Sequence, residues 1–263
     1  MRMPGDIGGI VLHYLDEGDP GGAPLLFLHA LGTDLHLWDA VLPLLPPGLR
    51  VIRVDLRGHG RSPCPAGEYY MGDLVGDVAA LLDRLKVREA MVVGVSLGGM
   101  IAQGLAAERL DQVRALVLSN TATKIGTSQI WRDRMEQLRA GGMAALGAAT
   151  LARWFPRRFH DDPAFAATRA RLLSTPVEGY LGCCAAIAET DLYESTARLR
   201  LPTLAIAGSE DGSTPPDMVR ETAGLIPGSR FCLIRGAGHL PCVDRPRDFA
   251  AALTTFLTET GHV

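Results

Sequence analysis

The stretch Ala90-Met91-Val92-Val93-Gly94-Val95-Ser96-Leu97-Gly98-Gly99 decides how the rest of the chain is read. A short apolar run leads into Gly-x-Ser-x-Gly and then into a helical pattern that continues through Ala107. Such a run, bounded by glycine, reads as a strand buried on both faces. A strand that turns sharply into a helix holds the residue at the turn in a strained conformation and lifts its side chain clear of the sheet. Gly94 and Gly98 let that turn close without clashes. The helix that starts there aims its N-terminal N–H groups at the same spot, where developing negative charge is stabilised. Ser96 is therefore the candidate nucleophile. Without the strand and the helix around it, the motif would be a glycine-rich turn with an incidental serine.

Strands alternate with helices on both sides of this motif. Leu25 to Leu28 and Val51 to Val54 read as strands, Met71 to Leu85 as an amphipathic helix, and Val113 to Ser119 as a further strand. That rhythm predicts an α/β fold, with a mostly parallel central sheet and helices on both faces. From Lys124 to Arg198 no strand is evident. The segment is rich in Ala, Leu and Arg, with Trp131, Trp154, Phe155 and Phe159 interspersed, and reads as inserted helices. Strand-like patterns resume at Thr203 to Ala207 and Arg230 to Ile234, with helices near Met218 to Leu225 and Pro246 to Leu257. The expected organisation is a core of residues 1–123 and 199–263, with a helical lid, 124–198, over the carboxyl ends of the strands. In open α/β sheets ligands bind at those ends.

Two further loops belong at that same end. Gly236-Ala237-Gly238-His239 follows the strand ending near Ile234, so His239 can offer one ring nitrogen to a hydroxyl and the other to a carboxylate. Asp211, in Ser209-Glu210-Asp211-Gly212, follows the strand Thr203 to Ala207. The chain order Ser96, Asp211, His239 is the one expected for a nucleophile on a strand–helix elbow. Glu210 competes for the acid's place, and Asp211 is favoured because Gly212 and the run to Pro216 fit a turn into the next helix. The loop His29-Ala30-Leu31-Gly32 follows the first buried strand and is placed to supply one backbone N–H to an oxyanion, with the residue after the nucleophile supplying another. These donors are Leu31 and Leu97. His29 reads as a buried brace for that loop. The segment Asp55 to Ser62 reads as scaffolding around Gly58 and Gly60, with His59 favoured for a turn role over that of a second base.

Composition narrows the function classes. The 263 residues are 47% hydrophobic and 21% charged with a net charge of -3, which carries no basic excess for nucleic acid. No apolar run is long enough to span a bilayer. Met1 to Gly9 has no apolar stretch of the signal-peptide kind. The five cysteines, Cys64, Cys183, Cys184, Cys232 and Cys242, include no metal-type pair and read as free thiols of a cytoplasmic protein. No metal or organic cofactor is expected. Oligomeric state, monomer or homo-oligomer, is left open by the sequence.

On His29 to Gly32, Asp55 to Ser62, Gly94 to Gly99, Asp211 and His239 the chain resembles the α/β-hydrolase superfamily over nearly its full length. More narrowly it resembles 3-oxoadipate enol-lactonases of the β-ketoadipate pathway. The segments that carry this are Leu31 to Asp34 with Trp38, Ser96 to Met100, Leu118 to Gly126, Trp131 with Arg134, Arg153 to Phe155, and Gly179 to Ile187. It departs from them in having His29-Ala30 where they often have Asn-Ser. The resemblance implies a small unsaturated lactone bearing a carboxylate, opened through an acyl-enzyme on Ser96 in aromatic catabolism. It also implies a cation in the lid for that carboxylate. Arg134, three residues after Trp131 and so on the same helix face, is the first candidate. The alternative for Arg134 is an exposed arginine, paired with Asp133 or Glu136 or free in water. Trp131 and Trp154 read either as pocket walls or as plain core. Two other functions stay open: an esterase, other lactonase or perhydrolase using the same residues on a neutral substrate, and a hydrolase-like receptor with little turnover. A cation facing the pocket separates the carboxylated lactone from a neutral substrate.

Overall fold

The computed structural model of the chain describes residues 10–263. The reading of Met1 to Gly9 lies outside them. Seven strands form one sheet in the order β1-β3-β2-β4-β5-β6-β7. They are β1 (Tyr14–Gly18), β2 (Ala23–Leu28), β3 (Leu49–Val54), β4 (Ala90–Val95), β5 (Val113–Ser119), β6 (Thr203–Gly208) and β7 (Arg230–Ile234). All neighbours pair in parallel except β1 with β3. Every residue of β4 and β6 is buried, as a central strand covered on both faces requires. On the core faces lie α1 (Met71–Arg84), α2 (Leu97–Glu108), α7 (Pro216–Gly224), α8 (Pro241–Asp244) and α9 (Pro246–Glu259).

The sequence pattern gives no sign of β1. Its residues are Tyr-Leu-Asp-Glu-Gly, and the last three are exposed. It is an edge strand whose place comes from its partner rather than from hydrophobicity. Asp16 pairs with Arg50 at 2.7 Å and Glu17 with Arg53 at 2.5 Å, both across to β3.

The chain leaves β2 toward one edge of the sheet to make β3, and returns to the other side of β2 to make β4. The order therefore reverses between β2 and β4. A crevice opens at such a switch point because the two connections leave in opposite directions. The loop carrying Leu31 and the turn carrying Ser96 both lie there.

Between β5 and β6 the chain forms α3 (Ser128–Trp154), α4 (Pro163–Ser174), α5 (Val177–Ala188) and α6 (Tyr193–Ala197). The long α3 is two helices joined across a kink at Gly142, whose φ is 62°. The docking of α5 explains one stretch of its sequence. A Cβ at Gly179 would sit 2.1 Å from the Gly58 carbonyl oxygen, and one at Gly182 would sit 2.7 Å from the Tyr69 ring. The inserted helix thus meets the core backbone to backbone, and only glycine permits that approach. No helix among the described residues is long and apolar enough to cross a membrane.

Gly179→Ala is expected to lower stability by about 1–3 kcal/mol through overpacking against the Gly58 carbonyl. Urea unfolding checks this: the midpoint should fall with little change in slope.

Candidate active site

Ser96 sits between β4 and α2 with φ 55° and ψ -116°, a conformation that non-glycine residues avoid. Its backbone is held on every side. Ser96 N–H donates to the Ser119 carbonyl, and its own carbonyl accepts from Gly99 N–H, Met100 N–H and the Thr121 hydroxyl. A Cβ at Gly98 would lie 2.2 Å from the Leu28 carbonyl oxygen, so α2 starts directly against the end of β2. As the first residue of α2, Leu97 has no intrahelical acceptor for its N–H.

The loop after β2 is pinned by two histidines. His29 Nδ1 donates to the Ala30 carbonyl at 2.8 Å, and its Nε2 accepts from Leu56 N–H at 2.9 Å. His59 Nδ1 donates to the Arg57 carbonyl, and its Nε2 accepts from Gly32 N–H at 2.9 Å. Burial pushes both imidazoles below the ordinary range, His59 to about 3, so both are neutral braces. The carbonyl before Leu31 and the N–H after it are committed, while the Leu31 N–H has no acceptor among the described residues. Asp55 accepts from Leu35 N–H, Arg61 N–H and His13 Nδ1, which keeps the adjoining turn in place.

Asp211 and His239 meet at 2.8 Å, carboxylate Oδ2 to ring Nδ1, and both are almost wholly buried. The same carboxylate accepts from Asn120 Nδ2, the Thr214 hydroxyl, Ser213 N–H and Thr214 N–H. Burial alone would raise its pKa. The His239 charge and the hydrogen bonds from His239, Asn120 and Ser213 outweigh that, and the net shift is downward. Asp211 therefore stays ionised and fixes a proton on Nδ1 of the ring, leaving Nε2 as the acceptor. Glu210, the competing acid, pairs instead with Arg158 at the surface.

Leu31, Ser96, Trp131, Arg134, Trp154 and His239 all line one cavity of about 490 Å³. Trp131 is half-buried, with its indole N–H on the Ile125 carbonyl at 2.5 Å. Trp154 is buried and stacks on the His239 ring with centroids 6.1 Å apart. Arg134 pairs with neither Asp133 nor Glu136. Its guanidinium donates to the Tyr180 hydroxyl and to the Thr150 hydroxyl, the latter at 2.8 Å, and lies 5.9 Å from the Trp131 ring centre. Tyr180 is pushed up to about 12, chiefly by burial, and so remains a neutral phenol. Arg153 also faces the cavity and has no side-chain hydrogen bond or ion pair among the described residues. Burial and the nearby Arg134 lower its pKa, yet a guanidinium keeps its charge at any ordinary pH. Asp133 is exposed at the cavity's edge and accepts from Gln129.

A family model described as the alpha/beta hydrolase fold matches residues 23–246. The chain belongs to the α/β-hydrolase family. The 3-oxoadipate enol-lactonase 2 of Acinetobacter baylyi is 32% identical to it over 246 residues, 93% of this chain and 92% of that protein. The crystal structure of the enol-lactonase from Burkholderia xenovorans superposes with a TM-score of 0.91 at 35% identity, covering 94% of this chain and 96% of that one. A thermophilic esterase from Thermogutta terrifontis, solved with malate bound, superposes with a TM-score of 0.89 at 28% identity, covering 96% and 94%. Relatives of this α/β-hydrolase thus include both lactonases and esterases.

Three side chains around the site escape sequence reasoning. Asn120 follows β5 and bridges the Asp211 carboxylate and the Gly238 carbonyl, joining the two loops. The polar run Ser119-Asn120-Thr121 after an apolar strand is the signal that could have found it. Arg153 falls in the Arg153 to Phe155 segment, but its residue type gives it no role that the other arginines of α3 lack. Asp244, on α8, accepts from Gly238 N–H at 2.7 Å and so holds the residue before His239, while its other oxygen is buried without a partner.

Burial raises the Asp244 carboxyl to about 6, against an ordinary value of 3.8. Between those two values the folded state of this hydrolase binds the extra proton. From this group stability is greatest at low pH, falls as pH rises through that window, and carries the full penalty above about pH 6. Asp244→Asn is expected to remove that slope. Denaturant titrations of both proteins from pH 4 to 7 check it, and an unchanged slope in the variant would refute the assignment.

Proposed function

We propose that this α/β-hydrolase opens a small enol-lactone that carries a carboxylate, with 3-oxoadipate enol-lactone as the best-fitting substrate. The observation that carries the reading is the pair of guanidiniums, Arg134 and Arg153, with no carboxylate partner among the described residues, in the cavity that holds Ser96 and His239. Uncompensated cations in a half-enclosed cavity favour an anionic substrate. The similarity to two named enol-lactonases over most of the chain supports the same reading.

In this mechanism His239 Nε2 takes the Ser96 hydroxyl proton as the oxygen attacks the lactone carbonyl carbon. The Leu31 and Leu97 N–H groups receive the oxyanion, an interaction worth about 2.7–4 kcal/mol per donor in comparable sites. Collapse re-forms the carbonyl and breaks the ring C–O bond. The departing enolate takes the proton from His239 and tautomerises to a ketone. A water, deprotonated by His239, then attacks the acyl-enzyme, and a second collapse releases the acid and returns the proton to Ser96. Asp211 holds the ring's orientation and stabilises its cationic form. No step calls for a metal or organic cofactor. Arg134 binds the substrate carboxylate, Trp131 and Trp154 wall the ring, and residues 124–198 act as a lid on the core of 1–123 and 199–263. The five unpaired cysteines fit a cytoplasmic setting. The second reading is an esterase on neutral substrates, favoured by the esterase among the similar structures.

The test compares hydrolysis of freshly generated 3-oxoadipate enol-lactone with that of p-nitrophenyl acetate. Wild type should turn over the lactone far faster than the acetate. Ser96→Ala should lose about 10⁴-fold or more of both activities. Strong Ser96-dependent acetate hydrolysis without lactone turnover would leave the esterase reading in its place.

A further inference from the structure

The two cavity arginines differ in how they are held. Arg134 is committed to the neutral hydroxyls of Tyr180 and Thr150, which fix its plane without cancelling its charge. Arg153 is fixed at its backbone instead. Its carbonyl accepts from Gly212 N–H at 3.0 Å, and the next carbonyl, of Trp154, accepts from His239 N–H at 2.7 Å. The end of α3 is thus tied to the residue after Asp211 and to His239 itself. The Arg153 side chain starts from a point that cannot shift without moving those loops, yet its guanidinium has no partner among the described residues. Arg134 lies on the other side of the Gly142 kink. Among the described residues the one carboxylate lining the cavity, Asp133, is exposed and already accepts from Gln129.

A single substrate carboxylate accounts for one of these two cations. We propose that the cavity is a dicarboxylate site, in which Arg134 and Arg153 each hold one end of a short α,ω-dicarboxylate and Arg153 confers the preference for the second charge. The inference rests on the reading of this cavity as the reacting site. Opening the ring with water turns a substrate with one carboxylate into a product with two and releases a proton. A pocket with two cations then binds the product more tightly than the substrate, and six-carbon dicarboxylates act as competitive inhibitors.

The experiment measures equilibrium binding of adipate, monomethyl adipate and hexanoate to Ser96→Ala by calorimetry, together with their inhibition of p-nitrophenyl acetate hydrolysis by wild type. Adipate should bind at least about tenfold more tightly than either monoanion, the value of one added charge-assisted contact. Arg153→Gln should bring adipate down to the level of hexanoate while hexanoate binding stays within about twofold, and Arg153→Lys should restore part of the difference. Equal binding of adipate and hexanoate to the parent protein, or no adipate binding, overturns the proposal, and that comparison stands even where an Arg153 variant does not fold. A loss of adipate and hexanoate binding in equal measure in Arg153→Gln overturns it too, since it marks a structural role. Binding to Ser96→Ala needs no turnover, so a dicarboxylate preference without lactone hydrolysis would sink the lactonase reading and keep this one. Lactone hydrolysis without the preference would do the reverse.

Discussion

The buried carboxylate of Asp211 is the point on which the site's geometry depends. It accepts from side chains or backbone that follow three adjacent strands: Asn120 after β5, Ser213 and Thr214 after β6, and His239 after β7. A buried anion is costly unless its oxygens are fully hydrogen-bonded, so these loops can take only the arrangement that satisfies it. The constraint reaches the inserted helices as well. Gly212 N–H and His239 N–H donate to the last carbonyls of α3, so the wall containing Trp154 is registered against the same two loops.

Strain at Ser96 is the counterpart of that order. A non-glycine residue at φ 55° and ψ -116° costs about 1–3 kcal/mol and persists only where its surroundings over-determine it. Here the donors on the Ser96 carbonyl and the contact of Gly98 with the Leu28 carbonyl supply that determination. The same contact sets the start of α2 against the end of β2, at the switch point of the sheet. It sets Leu31, after β2, and Leu97, at the start of α2, on either side of that point, and neither N–H has an acceptor among the described residues. The histidines at 29 and 59 serve this end as neutral hydrogen-bonding braces, and their burial removes them from acid–base chemistry.

Charge in the cavity follows a different logic. Several surface acids are matched to cations, as Glu210 is to Arg158 and Asp16 to Arg50. Arg134 and Arg153 line the cavity without such a match: one is satisfied by neutral hydroxyls and the other has no side-chain partner among the described residues. Two guanidiniums left uncompensated in the cavity that Ser96 lines raise the attraction for anions, and low solvent access strengthens it. That feature, rather than the fold, is what supports the proposal of an anionic lactone over a neutral ester.

The linear chain carried everything whose cause is local. The apolar run into Gly94-Val95-Ser96-Leu97-Gly98 made both the central strand and the elbow legible, and alternation of strand and helix patterns made the parallel sheet legible, because periodicity and turn chemistry act over a few residues. The helical spacing of Trp131 and Arg134 likewise foretold that they share a face. Three kinds of feature were left to the tertiary structure. The edge strand β1 has no hydrophobic signature, since pairing with β3 is what orders it. The partners of Arg134 and the solitude of Arg153 arise between segments far apart in sequence, where composition is silent. Asn120 and Asp244 act only because distant loops converge on them. Hydrophobic pattern and strain write themselves into neighbouring residues, whereas charge compensation depends on which distant groups the fold brings within a few ångströms.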